Sequence, residues 1–368
     1  MTNGRAQVTT GKAGRGRLRV GACLSLSGRY ARFGRQAAWG LQAWRSLDGA
    51  ADLIVEDDRS DPRTLERVLP RVAARCDVLL GPYSTRLTRE AGRMAAGAGR
   101  LLWNHGGSGD DVEAAHPGHM VSILSPASRY AEPFIRHLAA APDSASGSAS
   151  DSVSVSAPLW IASGAGSFGR QVAAGAGEAA RRAGLETVRL GPGDALPSGR
   201  LEPWDLFSAG SFEEDVALIR RARAASVPPR VVCAVAAGVR EFGAAAGDVE
   251  GTLGVGQWFP GAAPAPALAP ALGPAEADFL AAYSTLTGAV PDYPAVQAAA
   301  AAVLAAHCAR VSGGSTRDLL WDAALALDTR TMFGDFRIRP GDGVQAGHQT
   351  VLVRWTAEGL LAATRTRR

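Results

Sequence analysis

From Leu18 onward the chain alternates short continuous apolar runs with longer stretches of helical spacing. Residues 18–26 read as a buried strand, 33–47 as a helix with Leu41, Trp44 and Leu47 on one face, and 52–55 as a second strand. Asp61 and Pro62 supply an N-cap and a first-turn proline for a helix to about residue 75. A strand over 77–80, a helix over 85–96, strands over 100–104 and 120–124, and a helix over 127–140 follow. Strands alternating with helices predict a parallel sheet covered on both faces.

The Ser/Ala/Asp-rich stretch within 141–157 cannot bury enough apolar surface to stay ordered, and it predicts a loop. Alternation then restarts with strand 158–162, helix 167–183, strand 186–190, helix 211–224 and strands 230–235 and 252–258. An Ala/Pro-rich extended stretch over 261–274 precedes three helices, 275–287, 294–311 and 316–327, and two closing strands, 334–338 and 349–355. The fold class is α/β with two such units, in keeping with 368 residues, more than one hydrophobic core usually serves.

Composition narrows the functional classes. A hydrophobic share of 46% with 20% charged residues excludes a disordered or coiled-coil chain. No apolar run approaches the length that a membrane span needs, so no direct span is expected. The net charge of +4 comes from the ends: Arg5, Lys12, Arg15, Arg17 and Arg19 at one, Arg365, Arg367 and Arg368 at the other. Without these the body is mildly acidic and has no strong pull on nucleic acid. Cys23, Cys76, Cys233 and Cys308 stand far apart in apolar surroundings and read as buried free thiols. Residues 1–19 hold no apolar signal segment, so the chain as written is expected in the cytoplasm; a misassigned start codon would make it extracytoplasmic.

In open parallel sheets, ligands bind beyond the carboxyl ends of the strands. That rule selects the loops at 27–33, 56–61, 82–85 and 105–110 in the first half, and 163–169, 208–212 and 236–240 in the second. They are rich in hydroxyls, glycines and single aromatics, which suits a small ligand with one polar and one apolar end. Tyr83, Ser84 and Thr85, with Gly106, Gly107 and Ser108, are the most informative group, because hydroxyls and amides there could converge on one carboxylate or amide oxygen. The plainer alternative is that these are caps and tight turns. Gly164, Gly166 and Gly169 match a dinucleotide fingerprint but lack an acid at the end of the next strand. The acids Glu56, Asp57, Asp58 and Asp61 lack the spacing of a calcium loop and read as a solvated turn with a helix cap. His105, His116, His119 and His348 lack zinc spacing, and no nucleophile elbow is present. No metal, cofactor or catalytic residue is assigned.

Leu26-Ser-Gly-Arg-Tyr-Ala-Arg-Phe-Gly, Glu56-Asp-Asp-Arg-Ser-Asp-Pro, Gly81-Pro-Tyr-Ser-Thr, Trp103-Asn-His-Gly-Gly-Ser, Ser167-Phe-Gly, Phe333-Gly-Asp-Phe-Arg-Ile, Gly347-His-Gln and Val353-Arg-Trp follow one another over residues 18–356. In this order they resemble the type I periplasmic-binding-protein fold, specifically the branched-chain amino acid and amide (Leu/Ile/Val-binding-like) receptors of ABC transporters. The resemblance implies two Rossmann-like lobes with parallel sheets joined by a three-strand hinge, with crossovers near Val121, Gly256 and Gly334. Lobe one is then 18–121 with 257–333, and lobe two is 122–256 with 334–358; a basic tail, 1–17, and a C-terminal tail, 359–368, flank them. It further implies that Thr85 or its neighbour Ser84, Gly106 and Ser108 hold a ligand carboxylate, that Phe33 and Tyr293 pack on the ligand, and that Phe168 and Phe212 close from lobe two. The acid that pairs an α-ammonium in amino-acid receptors should fall near Ala236 or Ala237, where no acid stands. The expected function is non-enzymatic binding of an amino acid-like molecule, amide, urea or small carboxylate. The expected partner is an ABC permease or, for a sensor of the amide-regulator type, a cytoplasmic regulatory protein.

Overall fold

The computed structural model describes residues 17–49, 51–140, 157–197, 203–262 and 271–363. The readings for the basic N-terminal tail, the low-complexity loop, most of the Ala/Pro-rich stretch and the last five residues lie outside these. The chain runs β1 (Leu18–Leu24), α1 (Ala31–Asp48), β2 (Ala51–Asp57), α2 (Pro62–Ala73), β3 (Val78–Leu80), α3 (Thr85–Gly97), β4 (Leu102–Asn104) and β5 (Met120–Ser122). These strands form a parallel sheet in the order β2-β1-β3-β4-β5. Asp61 caps α2 as its residue type predicts, accepting from the Thr64 amide at 2.9 Å.

A second lobe follows: α4 (Glu132–Ala140), β6 (Leu159–Ser163), α5 (Ser167–Arg182), β7 (Thr187–Leu190), β8 (Asp205–Ala209), α6 (Phe212–Arg223), β9 (Val231–Ala234), α7 (Glu241–Ala246) and β10 (Leu253–Gly256). The chain then returns to lobe one as α8 (Glu276–Thr287), α9 (Tyr293–Ser312) and α10 (Arg317–Leu325), with the hairpin β11 (Thr329–Thr331) and β12 (Gly334–Phe336). It ends in lobe two as β13 (Val351–Thr356) and β14 (Gly359–Ala362). The second sheet has the order β14-β13-β10-β9-β8-β6-β7; β13 and β14 are antiparallel to their neighbours and the rest are parallel.

Four differences from the sequence reading have physical causes. Strand β8 went unread because the buried polar residues Asp205 and Ser208 interrupt its apolar run, which leaves neither a continuous run nor an alternation to detect. Residues 359–362, assigned to a tail, form β14 and pair with β13. Gly334–Phe336, assigned to lobe two, stays with lobe one: Phe333, Phe336 and Ile338 belong to the same core as α1 and α9. Finally, α9 is long and apolar enough to cross a membrane by composition, against the expectation that no such run exists; it is the central helix of the lobe-one core, buried along 16 of its residues.

Three crossovers lie side by side between the lobes. Buried Gln257 donates from Nε2 to the Ser125 carbonyl and accepts the Ser125 amide, both at 3.0 Å. The Ser125 hydroxyl donates to the His348 carbonyl at 3.0 Å, and Gln345 Nε2 donates to the Ile123 carbonyl at 3.1 Å. The third crossover therefore runs beside the other two around Gln345 and His348, later in the chain than Gly334. His348 is itself buried and stacks on Phe333 at 4.2 Å; burial lowers its pKa to about 4 and keeps the ring neutral.

Candidate functional site

The rim of lobe one is made by the turns that follow β1, β3 and β4. Phe33, in the first turn of α1, stacks on Tyr83 with centroids 4.6 Å apart and planes at 14°. The Tyr83 hydroxyl lies 3.2 Å from that of Tyr293, at the start of α9. Burial pushes both hydroxyls above the ordinary range, so both are neutral at physiological pH. Gly106 is required here by close approach: a Cβ on it would lie 2.5 Å from the Pro82 carbonyl oxygen.

Asn104 shapes this turn. Its Oδ1 accepts the Gly106 and Gly107 amides at 3.1 and 2.9 Å, and its Nδ2 donates to the Gly107 carbonyl at 2.7 Å and to Ser122 Oγ at 2.6 Å. The Ser122 hydroxyl in turn donates to Glu113, a buried carboxyl whose pKa burial raises to about 7. The amides of Gly106 and Gly107 are therefore engaged by Asn104, and the role expected for Gly106 in holding a ligand carboxylate is replaced by one in shaping the loop. Ser84 likewise has a structural role. With φ at 84°, it caps α3 by accepting the Leu87 amide at 3.4 Å. Thr85 differs from both. It is only 6% exposed, and its hydroxyl makes no hydrogen bond among the described residues.

Ser108 faces the second lobe, its Oγ 3.4 Å from the Tyr130 hydroxyl, and Tyr130 meets Phe168 edge-on at 5.3 Å. Phe212, at the start of α6, lies beneath the Arg32 guanidinium, 3.9 Å from it, and the same guanidinium is 5.9 Å from Phe33. Of the residues singled out in the sequence, Phe33, Tyr83 and Tyr293 meet one another in lobe one, Ser108 reaches Phe168 through Tyr130, and Phe33 reaches Phe212 through Arg32. The sequence reading missed Tyr130, which no motif marks, and the charged pairs around the rims. Arg32 pairs with Glu213 and Glu241 across the gap, at 3.2 and 3.7 Å. Arg89 pairs with Asp111 at 2.6 Å and donates to Ser167 Oγ at 3.1 Å, while Gln171 donates to Asp111 at 2.9 Å. Arg240 pairs with Asp292 at 2.6 Å.

The alternative motifs have local structural roles. Glu214 Oε1 accepts the Ala165 amide at 3.0 Å, so a carboxylate stands where a dinucleotide phosphate would sit. Asp57 and Asp58 accept hydrogen bonds from Leu26, Ser27, Arg59, Ser25 and Ser60, and so tie the β1 and β2 loops together. Among the described residues no cluster of His, Cys, Asp or Glu could hold a metal ion, and all four cysteines are buried and free. A hollow of about 300 Å³ opens within lobe two, lined by Ser163, Asp194, Ser208, Glu214 and Arg221 among others.

No protein-family model matches the sequence, and no curated protein matches it. Solved structures match over nearly the whole chain. LivK, a leucine-binding protein of Thermotoga maritima, superposes with a TM-score of 0.74 at 13% identity, covering 94% of this chain and 98% of its own. The fold is that of a type I periplasmic binding protein. The same fold is shared with an ABC-transporter substrate-binding protein of Desulfitobacterium hafniense in complex with Leu, with a TM-score of 0.73, 15% identity and coverage of 94% and 99%. LivJ of Streptococcus pneumoniae, in complex with isoleucine, gives 0.70 at 14% identity over 95% and 100%. At these identities the likeness is one of fold, and what the type I lobes of this chain bind is a question for its own side chains.

Proposed function

We propose that the chain is a non-enzymatic solute-binding receptor, the substrate-binding component of an ABC transporter, whose lobes close around one small polar molecule. The observation that carries this reading is the meeting of the two rims, where Arg32 lies between Phe33 of lobe one and Phe212 of lobe two, Ser108 meets Tyr130 beside Phe168, and arginine–carboxylate pairs join the lobes. A ligand that touches both rims stabilises the closed arrangement by its differential affinity for it, which is all that the motion requires. The solved structures that share the fold are transport receptors, which favours delivery to a permease outside the cytoplasm over cytoplasmic sensing. We assign the described residues of 18–122 and 260–338 to lobe one and those of 127–256 and 351–362 to lobe two, around the three crossovers.

Thermal-shift screening against amino acids, amides, urea and small carboxylates tests the reading, since a ligand bound to the native state raises the melting temperature. A stabilising solute is expected; a full panel without one contradicts it. With that solute, Thr85→Ala and Ser108→Ala are each expected to weaken affinity about tenfold, the worth of one hydrogen bond. The melting temperature of the free protein should barely change. Wild-type affinity in both variants would remove these residues from the site.

A further inference from the structure

Resting on the receptor reading, we propose that Asp292 is a two-position latch: with the lobes together it holds Arg240 of lobe two, and with the lobes apart it turns back to cap α9 of its own lobe. The first position is the one observed. The Asp292 carboxylate, 7% exposed, accepts the Arg240 guanidinium at 2.6 Å through Oδ1 and the Arg240 amide at 3.2 Å through Oδ2. The same guanidinium donates to the Pro291 carbonyl at 2.8 Å and lies 5.2 Å from the ring of Phe259, just past the second crossover. Val239, one residue before Arg240, is buried in the core that α1 and α9 share. Lobe two thus seats a short knob, Val239 and Arg240, in lobe one, and Asp292 receives its charged end. Glu213, Glu241 and Asp111, which pair with arginines elsewhere around the gap, are about half exposed.

The second position follows from a bond that Asp292 does not make. It stands at the N-cap of the 20-residue helix α9 with an extended backbone, φ −94° and ψ 172°, where an aspartate normally accepts the amide of the second or third helical residue. Asp61, also extended, does this for α2 at 2.9 Å. The Asp292 side chain makes no capping bond, because it is turned toward Arg240. Pro294 has no N–H to give, which leaves the amide of Ala295, third in the helix, as the donor for a cap; that amide now falls back on the Asp292 carbonyl at 3.1 Å. Separating the lobes withdraws the Arg240 guanidinium and amide together. A buried carboxylate that loses its donors is costly, and the cap offers it another within its own lobe. Tyr293, the next residue, has its hydroxyl 3.2 Å from that of Tyr83, so the exchange takes place beside the rim that the ligand touches.

Arg240→Gln and Asp292→Asn each remove the charged latch, and asparagine at 292 can still cap. Stopped-flow titration of the full chain uses the solute that gives the strongest thermal stabilisation. Each variant is expected to release it about tenfold faster and to take it up at about the wild-type rate, since the latch forms after the ligand has entered. The double variant is expected to lose no more than the weaker-binding single one. Wild-type release in both variants, or losses that add in the double one, overturns the latch and leaves the receptor reading standing. Urea unfolding of the free chain tests the second position. Arg240→Gln and Asp292→Asn are expected to keep the wild-type midpoint, and Asp292→Ala, which cannot cap, to lower it. A lowered midpoint in Arg240→Gln shows that Asp292 stays on Arg240 in the free protein and overturns the exchange; a wild-type midpoint in Asp292→Ala overturns the cap. If nothing in the wider screen binds, the receptor reading falls and the latch with it.

Discussion

Burial raises the pKa of Glu113 to about 7, and through Ser122 and Asn104 this carboxyl supports the turn that carries Gly106 and Gly107. A carboxyl whose folded-state pKa is raised favours folding while protonated; its contribution is complete below the unfolded value, near 4.5, and is lost as pH climbs through about 7. Urea unfolding at pH 5 and pH 7.5 should therefore show Glu113→Gln gaining on the wild type as the pH rises. Parallel behaviour of the two proteins would show that Glu113 does not titrate in this range. Among single residues, the sequence reading selected rings and hydroxyls because loops after parallel strands are where ligand-binding residues gather. Tyr130 was not legible, since only the first crossover brings it to Ser108. Nor was the engagement of the Gly106 and Gly107 amides, which depends on the direction of the Asn104 side chain.

At the scale of elements, periodicity located the helices and most strands because each buries one face or runs apolar throughout. It failed where that signal is missing: in the six-residue α7 and three-residue β11, too short for a period, in β8, whose apolar run Asp205 and Ser208 interrupt, and in β14, which follows a turn at the edge of the sheet. The packing of α1 on α9 rests on a contact that no pattern announces. A Cβ on Gly40 would lie 2.0 Å from the Ala295 carbonyl oxygen, so backbone meets backbone there. Gly40→Ala gains helix propensity, yet overpacking against a main-chain atom that cannot swing away dominates. The substitution is expected to destabilise lobe one by about 1–3 kcal/mol, the usual cost of overpacking, read as a lower urea midpoint. A midpoint equal to or above the wild type would show that the two helices can separate at little cost.

For the molecule as a whole, two lobes are tied by hydrogen bonds among three crossovers and by arginine–carboxylate pairs around the gap. The pairs join distant parts of the chain, such as Arg240 to Asp292, so composition and local spacing carry no trace of them. Most are partly exposed and individually worth little, which lets the lobes part without a large barrier and leaves the ligand to decide the closed population. The four native cysteines are buried, so a dye pair can be placed selectively at Arg63→Cys in lobe one and Pro192→Cys in lobe two, exposed positions just beyond the carboxyl ends of β2 and β7. The most direct test is the distance between these dyes, measured by energy transfer while the solute with the strongest thermal stabilisation is titrated in. A distance that shortens in step with binding is the predicted result; saturation of the protein with no change in distance would contradict closure of the lobes around the ligand.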